Sequence, residues 1–338
     1  MRILVIGATG FIGTPLVHQL VRKDHEIVVF HRGETDADLP ESVRHLHGDR
    51  NALAEHRDAF EQESPDVVID VVPYTEAHAQ RVVDVFGDIT DRLVVVSSSD
   101  VYRNYDGWRG VSDHDPDPVP LDEEAPLREK LYPYRGHEGL GFDYARDYEK
   151  ILVERVVMRA PNLAGTVLRL PAVYGPGDTQ HRLVRHLRRM DDDRPAILMD
   201  EGEADWRWTH GYVENVAAAI ACAAADGRAD SCIYNVGEVE TPTTVERIHR
   251  LARVVGWCGD VVPVPSKELP EHLQGPGDWR YELATDTRRM RAELEYEPPV
   301  TKTEALRRTV EWERDHWDED EMPDPDYEAE NAVWKRWA

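Results

Sequence analysis

The sequence predicts an α/β fold, a doubly wound parallel sheet followed by a smaller C-terminal α/β substrate domain, on three observations. Short β-branched apolar runs alternate with amphipathic helical segments through roughly the first 100 residues. The connectors between them are short, which favours one sheet over several. The first apolar run also ends in a glycine-spaced turn that starts a helix, the arrangement of a Rossmann-type nucleotide site.

Ile3 to Ile6 is continuously apolar, as a parallel strand covered on both faces requires. It leads into Gly7-Ala8-Thr9-Gly10-Phe11-Ile12-Gly13. Gly7 permits the tight turn, Gly10 lets backbone approach a pyrophosphate with no Cβ in the way, and Gly13 lets the next helix sit close to the strand. That helix, Pro15 to Arg22, turns Leu16, Val17 and Leu20 inward, and the free N–H groups at its start form a phosphate site. Gly7, Thr9, Gly10, Phe11, Ile12 and Gly13 are therefore expected to hold a dinucleotide.

A second strand, His25 to Phe30, ends at His31-Arg32-Gly33, where such folds meet the adenosine ribose. An acid there receives the 2′-hydroxyl of NAD. The Arg32 guanidinium beside His31 suits a 2′-phosphate instead, so NADP is expected, with NAD as the alternative in which Arg32 lies over the adenine face. Val43 to Leu46 is a third strand. Asp49 after it reads as an acceptor for the adenine amino group or as the N-cap of a helix starting near Asn51, roles that do not exclude each other. Arg50 is grouped with it at the cofactor site. The run Pro65 to Pro73 is the fourth strand, with Pro73 beside the cofactor, followed by a helix Glu76 to Phe86 and a fifth strand Arg92 to Ser97. Ligands of doubly wound sheets lie beyond the carboxyl ends of the strands, so chemistry is sought after the fourth and fifth.

The fifth strand runs into Ser97-Ser98-Ser99-Asp100-Val101-Tyr102. A hydroxyl here either hydrogen-bonds a substrate carbonyl or carbinol or merely caps the strand end, and Asp100 serves as acid or base if burial raises its pKa. Residues 103–140 form a proline-rich, charged connection of a length that calls for a function. Within it, Asp113, His114 and Asp115 point apart in an extended segment, and no metal is expected. A long helix is predicted from Phe142 to Arg159, with Lys150 placed to reach a nicotinamide ribose. Val167 to Leu170 is a sixth strand leading to Pro171, which is expected at the cofactor site.

The composition changes from there on, dividing the chain into a dinucleotide-binding domain (1–172), a mainly substrate-binding domain (173–315) and an acidic, tryptophan-containing tail (316–338). The second part contains predicted helices at His181 to Met190, Asn215 to Ala225, Thr244 to Val255 and Lys302 to Asp318, with short strands at Ala196 to Met199, Ile233 to Gly237 and near Val261. The tail is a candidate to dock on a neighbouring surface.

A net charge of −26 opposes a nucleic-acid backbone or an anionic membrane surface, which leaves a small-molecule substrate as the expected partner. Cys222, Cys232 and Cys258 have no metal-ligand spacing and read as thiols in a reducing compartment. No apolar run approaches a membrane span and no signal peptide precedes the first strand, so a cytoplasmic protein is expected.

Collectively these motifs resemble the extended short-chain dehydrogenase/reductase superfamily, of the NAD-dependent epimerase/dehydratase type, over about residues 1 to 315. Gly7-Ala-Thr-Gly10-Phe-Ile-Gly13 resembles its nucleotide fingerprint, Ser98-Ser-Asp-Val-Tyr102 its fifth-strand motif, and Leu170-Pro171-Ala-Val-Tyr174-Gly-Pro-Gly177 its motif after the sixth strand. Arg207 to Asn215 and Tyr234-Asn235-Val-Gly237 look like its substrate-domain segments. The resemblance implies that Ser98 holds the reacting oxygen. It also implies that Lys150, in the context Lys150-Ile-Leu-Val-Glu154, binds the nicotinamide ribose and lowers the pKa of a tyrosine four residues earlier. Arg146 stands at that position, and an arginine does not exchange a proton at neutral pH.

Three readings are open. Tyr148 replaces the missing tyrosine, although two positions lie about 200° apart on a regular helix. A tyrosine of the long connection, Tyr132 or Tyr134, replaces it. Or the protein binds the dinucleotide without redox turnover, as regulatory members of the superfamily do. On residue type Tyr148 is preferred, with Asp100 assisting. The implied activity is an NAD(P)-dependent epimerase or reductase moving hydride at a secondary alcohol or ketone of a sugar nucleotide or small polar metabolite, in a homodimer.

Overall fold

Seven parallel strands form the main sheet of the computed structural model, which describes residues 1–35, 37–136, 144–317 and 324–337. The strands are β1 (Arg2–Ile6), β2 (Glu26–His31), β3 (Arg44–His47), β4 (Val67–Asp70), β5 (Arg92–Ser98), β6 (Ala164–Leu170) and β10 (Ile233–Asn235), in the order β10-β6-β5-β4-β1-β2-β3. The chain winds outward from β1 in both directions, so the crevice between the ends of β1 and β4 is the switch point where such sheets hold ligands. Register aligns those ends: Ile6 pairs with both Phe30 and Asp70, and Asp70 with Val95.

Alternation along the strands divides the core in two. Ile3 and Val5 of β1 meet Leu16 and Leu20 of α1 (Gly13–Arg22) and the alanine-rich α8 (Val213–Ala225). Leu4 and Ile6 meet Phe60 of α2 (Arg57–Glu63), Phe86 of α3 (Glu76–Phe86) and Val153 of α5 (Lys150–Met158) on the other face. The period of two is the physical reason one apolar strand serves both layers.

Beyond β6 lie β7 (Ala172–Tyr174), paired in parallel with β9 (His210–Tyr212), and β8 (Ala196–Asp200), paired in parallel with β11 (Asp260–Val264). The helices α6 (Val184–Asp191), α7 (Glu201–Asp205), α9 (Thr244–Val255), α10 (Arg288–Leu294) and α11 (Lys302–His316) surround them. A last helix, α12 (Tyr327–Trp337), docks the tail: Val333 joins Leu198, Val264, Leu269 and Leu273, and Glu330 pairs with the buried Arg189. No helix among the described residues is long and apolar enough to cross a membrane.

Two expectations are corrected. The long helix begins at Lys150 and not near Phe142: residues 144–147 form a turn, Tyr148 and Glu149 are non-helical, and 142 and 143 lie outside the described residues. Glu149 is the reason, because its carboxylate accepts from the Ile151 N–H and caps the helix there. The connection after β5 is built rather than a bare loop. It contains α4 (Arg103–Trp108), and buried Asn104 clasps Asp117 through both its backbone N–H and its carbonyl.

The start of α5 is held from below by a buried ion pair. Arg169 on β6 binds both oxygens of Glu154 at 3.0 and 2.8 Å, and Ser97 donates to the same carboxylate. Removing one partner strands a buried charge, so Arg169→Met is expected to cost about 3–5 kcal/mol, measured by urea unfolding.

Candidate active site

The glycine turn and the ends of β2 and β3 enclose a cavity of about 270 Å³ lined by Gly7, Thr9, Gly10, His31, Arg32, Asp49, Arg50, Val72, Tyr74 and Tyr144 among others. Gly7 adopts φ +82°, and a Cβ there would meet Val72 at 2.5 Å. A Cβ on Gly13 would lie 2.5 Å from the Gly7 carbonyl oxygen, which is the close approach of helix to strand inferred from sequence. At Gly10 a Cβ would meet nothing within 4 Å, so this side of the turn faces open space. No side chain caps the start of α1 at Ile12. Phe11 instead packs near Gly177.

The polar residues of this cleft divide by what they already bind. Asp49 accepts from the Asn51 N–H and caps the following turn. Arg50 forks onto Asp70 at 3.1 and 2.9 Å, yet its Nε is buried with no hydrogen-bond partner among the described residues. Arg32 pairs with Glu34 at 3.1 Å, and both are well exposed. Burial, then His47 and His45, hold the His31 imidazole below its ordinary pKa. Pro171 lies apart from this cavity and packs on Gly211 and Gly237.

At the end of β5 the structure brings Ser98, Asp100, Tyr148 and Lys150 together. The Tyr148 hydroxyl donates to Asp100 Oδ2 at 2.8 Å, and the Tyr134 hydroxyl reaches the same oxygen at 3.2 Å. Ser98 Oγ accepts from the Asp100 N–H at 3.2 Å and lies beside the Tyr148 hydroxyl. Lys150 Nζ donates to the carbonyls of Pro73 and Val96 at 3.1 and 2.9 Å and sits 5.2 Å from the centre of the ring of Tyr74, which lines the cavity at the glycine turn. Arg146 is exposed, outside the cluster.

This constellation is fixed by a pair the sequence does not signal. Arg128 and Glu149 form a fully buried ion pair at 3.0 Å. Arg128 also donates to the Asp100 carbonyl, and Glu149 accepts from the Tyr132 N–H as well as capping α5. One ion pair thus locates Asp100 on one side and the Tyr148 to Lys150 segment on the other. Sequence spacing cannot reveal it, since the partners are joined only by the fold.

Burial, followed by the charge of Asp100 and the neighbouring Tyr134, pushes Tyr148 well above the ordinary tyrosine pKa. Burial lowers Lys150 to about 8, although Asp100 and Asp70 favour its charge. If its ammonium grips a ribose, dinucleotide affinity is expected to decline as pH rises through about 8, as titration calorimetry across pH would read. Fold stability runs the other way. Between about 8 and the ordinary value of 10.5 the unfolded chain binds the proton more, so this lysine makes the fold more stable as pH rises.

A second cavity of about 600 Å³ opens in the C-terminal part, walled by Trp108, Trp206, Trp208 and Trp279 with Arg182, Arg185 and Arg247. Trp108 and Trp206 stack at 5.7 Å. Trp108 Nε1, Trp208 Nε1, His186 Nδ1 and Arg247 Nη2 are buried there without a hydrogen-bond partner among the described residues, as expected of groups that a ligand satisfies. Trp108 packs on Tyr105, whose hydroxyl lies 3.0 Å from that of Tyr134, and Tyr134 reaches Asp100. The aromatic cavity is thereby joined to the Asp100 cluster. Trp208 lies in the Arg207 to Asn215 segment that resembles a substrate-domain segment, whereas Trp108, Trp206 and Arg247 carried no such signal.

The model of a family described as the NAD dependent epimerase/dehydratase family matches residues 3–237. Among known proteins, 2′-dehydrokanamycin reductase of Streptomyces kanamyceticus is 29% identical over 282 residues, covering 81% of this chain and 72% of its own. An epimerase of Methanothermobacter thermautotrophicus superposes with a TM-score of 0.66 at 18% identity, covering 94% of this chain and 93% of its own. The UDP-glucose 4-epimerase of Thermus thermophilus in complex with NAD gives 0.63 at 23% identity, covering 93% and 99%. At these identities the structural likeness is one of fold.

Proposed function

This chain belongs to the NAD dependent epimerase/dehydratase family of enzymes, and from that premise we propose that it is a reductase or epimerase moving hydride at a secondary alcohol or ketone of a sugar nucleotide. The observation that carries the reading is the meeting of Tyr148, Asp100, Ser98 and Lys150 against the wall of the nucleotide cavity.

The residues fit a dinucleotide. The open face of Gly10, the uncapped start of α1 and the unpartnered Arg50 Nε suit a diphosphate and its sugars. Gly7, Thr9, Gly10, Ile12 and Gly13 would hold it, with Lys150 at the nicotinamide ribose and Asp49 at the adenine. The nicotinamide, when bound, supplies the hydride chemistry. NADP over NAD is supported by the absence of an acid at His31 and Arg32, and is tested by comparing affinities for the two before and after Arg32→Ala.

Within this reading Tyr148 exchanges a proton with the substrate oxygen, which Ser98 orients. A standing tyrosinate is disfavoured by burial and by Asp100. A relay avoids it: as Tyr148 takes the carbinol proton, its own passes 2.8 Å to Asp100 Oδ2, and in reduction both transfers reverse. The Asp100 N–H holds Ser98 Oγ beside the Tyr148 hydroxyl, so that both hydroxyls meet the same substrate oxygen.

The tryptophan cavity supports a sugar nucleotide, with flat rings for a sugar or base and arginines for a diphosphate. Reduction of a keto sugar such as 2′-dehydrokanamycin is the second reading, favoured by the relative from Streptomyces kanamyceticus. The test is the absorbance of bound nicotinamide in single turnover against sugar nucleotides and keto sugars. A substrate-dependent redox change is expected, and no change with any of them would overturn the reading. A homodimer belongs to the same proposal and is checked by light scattering.

A further inference from the structure

His31, His45 and His47 stand together on one face at the edge of the main sheet. Parallel register explains why: His31 of β2 pairs with His47 of β3, and His45 precedes His47 by two residues, so its side chain leaves on the same face. The rings are 4.8 to 6.3 Å apart, centre to centre, and His31 Nε2 lies 2.9 Å from His45 Nδ1. One ring nitrogen from each of the three falls within 4.8 Å of the others.

We propose that His31, His45 and His47 form a binding site for a divalent transition-metal ion, at the rim of the nucleotide cavity. Imidazole is the ligand of choice for Zn²⁺, Ni²⁺ and Cu²⁺, and three of them leave a fourth position for water. With metal–nitrogen bonds of about 2.0–2.1 Å, a tetrahedral ion sets its ligand nitrogens about 3.3 Å apart. The His31–His45 pair is already near that spacing, and a small rotation of the exposed His47 brings in the third nitrogen. The ion takes the place of the hydrogen bond between His31 Nε2 and His45 Nδ1. For Nε2 of His31 to ligate, its proton moves to Nδ1. The 3.2 Å bond that Nδ1 accepts from the Gly33 N–H is then given up, at a glycine whose φ of +78° marks a turn.

The sequence carries the pattern as His45-Leu-His47 on a strand with His31 on its neighbour. Two histidines separated by one residue are a chelating pair only if they lie on a strand. The third ligand becomes visible only once register is known.

The test is titration of the full chain with ZnCl₂ by calorimetry, and with CoCl₂ by visible spectroscopy. One equivalent bound, and the visible bands of low-coordinate Co²⁺, are the expected results. His45→Gln and His47→Gln change exposed side chains, so the variants should keep the wild-type thermal midpoint. Each is expected to lose more than the roughly 10–100-fold that a supporting group around a metal is worth. Absence of binding by the wild-type protein would overturn the site. So would Zn²⁺ binding that survives both substitutions, since the ion would then sit elsewhere. The outcome does not depend on the catalytic reading of Tyr148.

Discussion

Tyr148→Phe is expected to lower kcat by about 10²–10⁴ while leaving dinucleotide affinity within about twofold, the range that general acid–base catalysis contributes. The phenyl ring keeps the packing against Tyr74 and Tyr134 and removes only the hydroxyl that binds Asp100. Asp100→Asn should reproduce much of the loss, because the amide keeps the hydrogen bond but accepts no proton. Tyr134→Phe should have a smaller effect. Its hydroxyl reaches Asp100 at a longer 3.2 Å and also contacts Tyr105, the arrangement of a supporting group. Steady-state kinetics with the substrate found in the single-turnover screen, together with calorimetry for the dinucleotide, reads all three. Full turnover by Tyr148→Phe would remove this tyrosine from the proton path and leave Asp100 or a solvent molecule to serve.

Two alanine substitutions in the glycine turn separate binding from folding. Gly10→Ala places a methyl group in open space, so the thermal midpoint of the free protein should barely move. The same methyl occupies the cradle proposed for the diphosphate, and dinucleotide affinity should fall at least tenfold, about 1.4 kcal/mol. Gly13→Ala drives a methyl against the Gly7 carbonyl oxygen and the Ala8 backbone, at 2.5 to 2.7 Å. Those atoms belong to the turn itself and cannot rotate away. A loss of about 1–3 kcal/mol is expected in denaturant unfolding. Wild-type affinity in Gly10→Ala would mean that the diphosphate does not rest on this turn.

These predictions draw on different levels of information. Gly7, Gly10 and Gly13 were legible in the sequence because a strand, a turn and a helix within a dozen residues are governed by local sterics. Ser98 and Asp100 were legible for a similar reason, since the end of a strand in such a sheet marks its ligand side. The placement of Tyr148 was half legible. On a continuous helix from Phe142 it would point away from Lys150, and the objection drawn from helical geometry was sound for that premise. The premise fails because Glu149, engaged with Arg128, caps the helix at Lys150 and leaves Tyr148 outside it.

The amino-acid sequence by itself determined the layered α/β architecture, the glycine turn between the first strand and helix, and the family, because hydrophobic period and glycine placement act over short distances. Only the tertiary structure decided which tyrosine meets Asp100, which tryptophans wall the second cavity, and that three histidines share a face. Each of those is a meeting of segments far apart in the chain, set by strand register and by buried charges such as Arg128 and Glu149 finding one another. Pairings of that kind depend on the whole packed fold, and no local pattern encodes them.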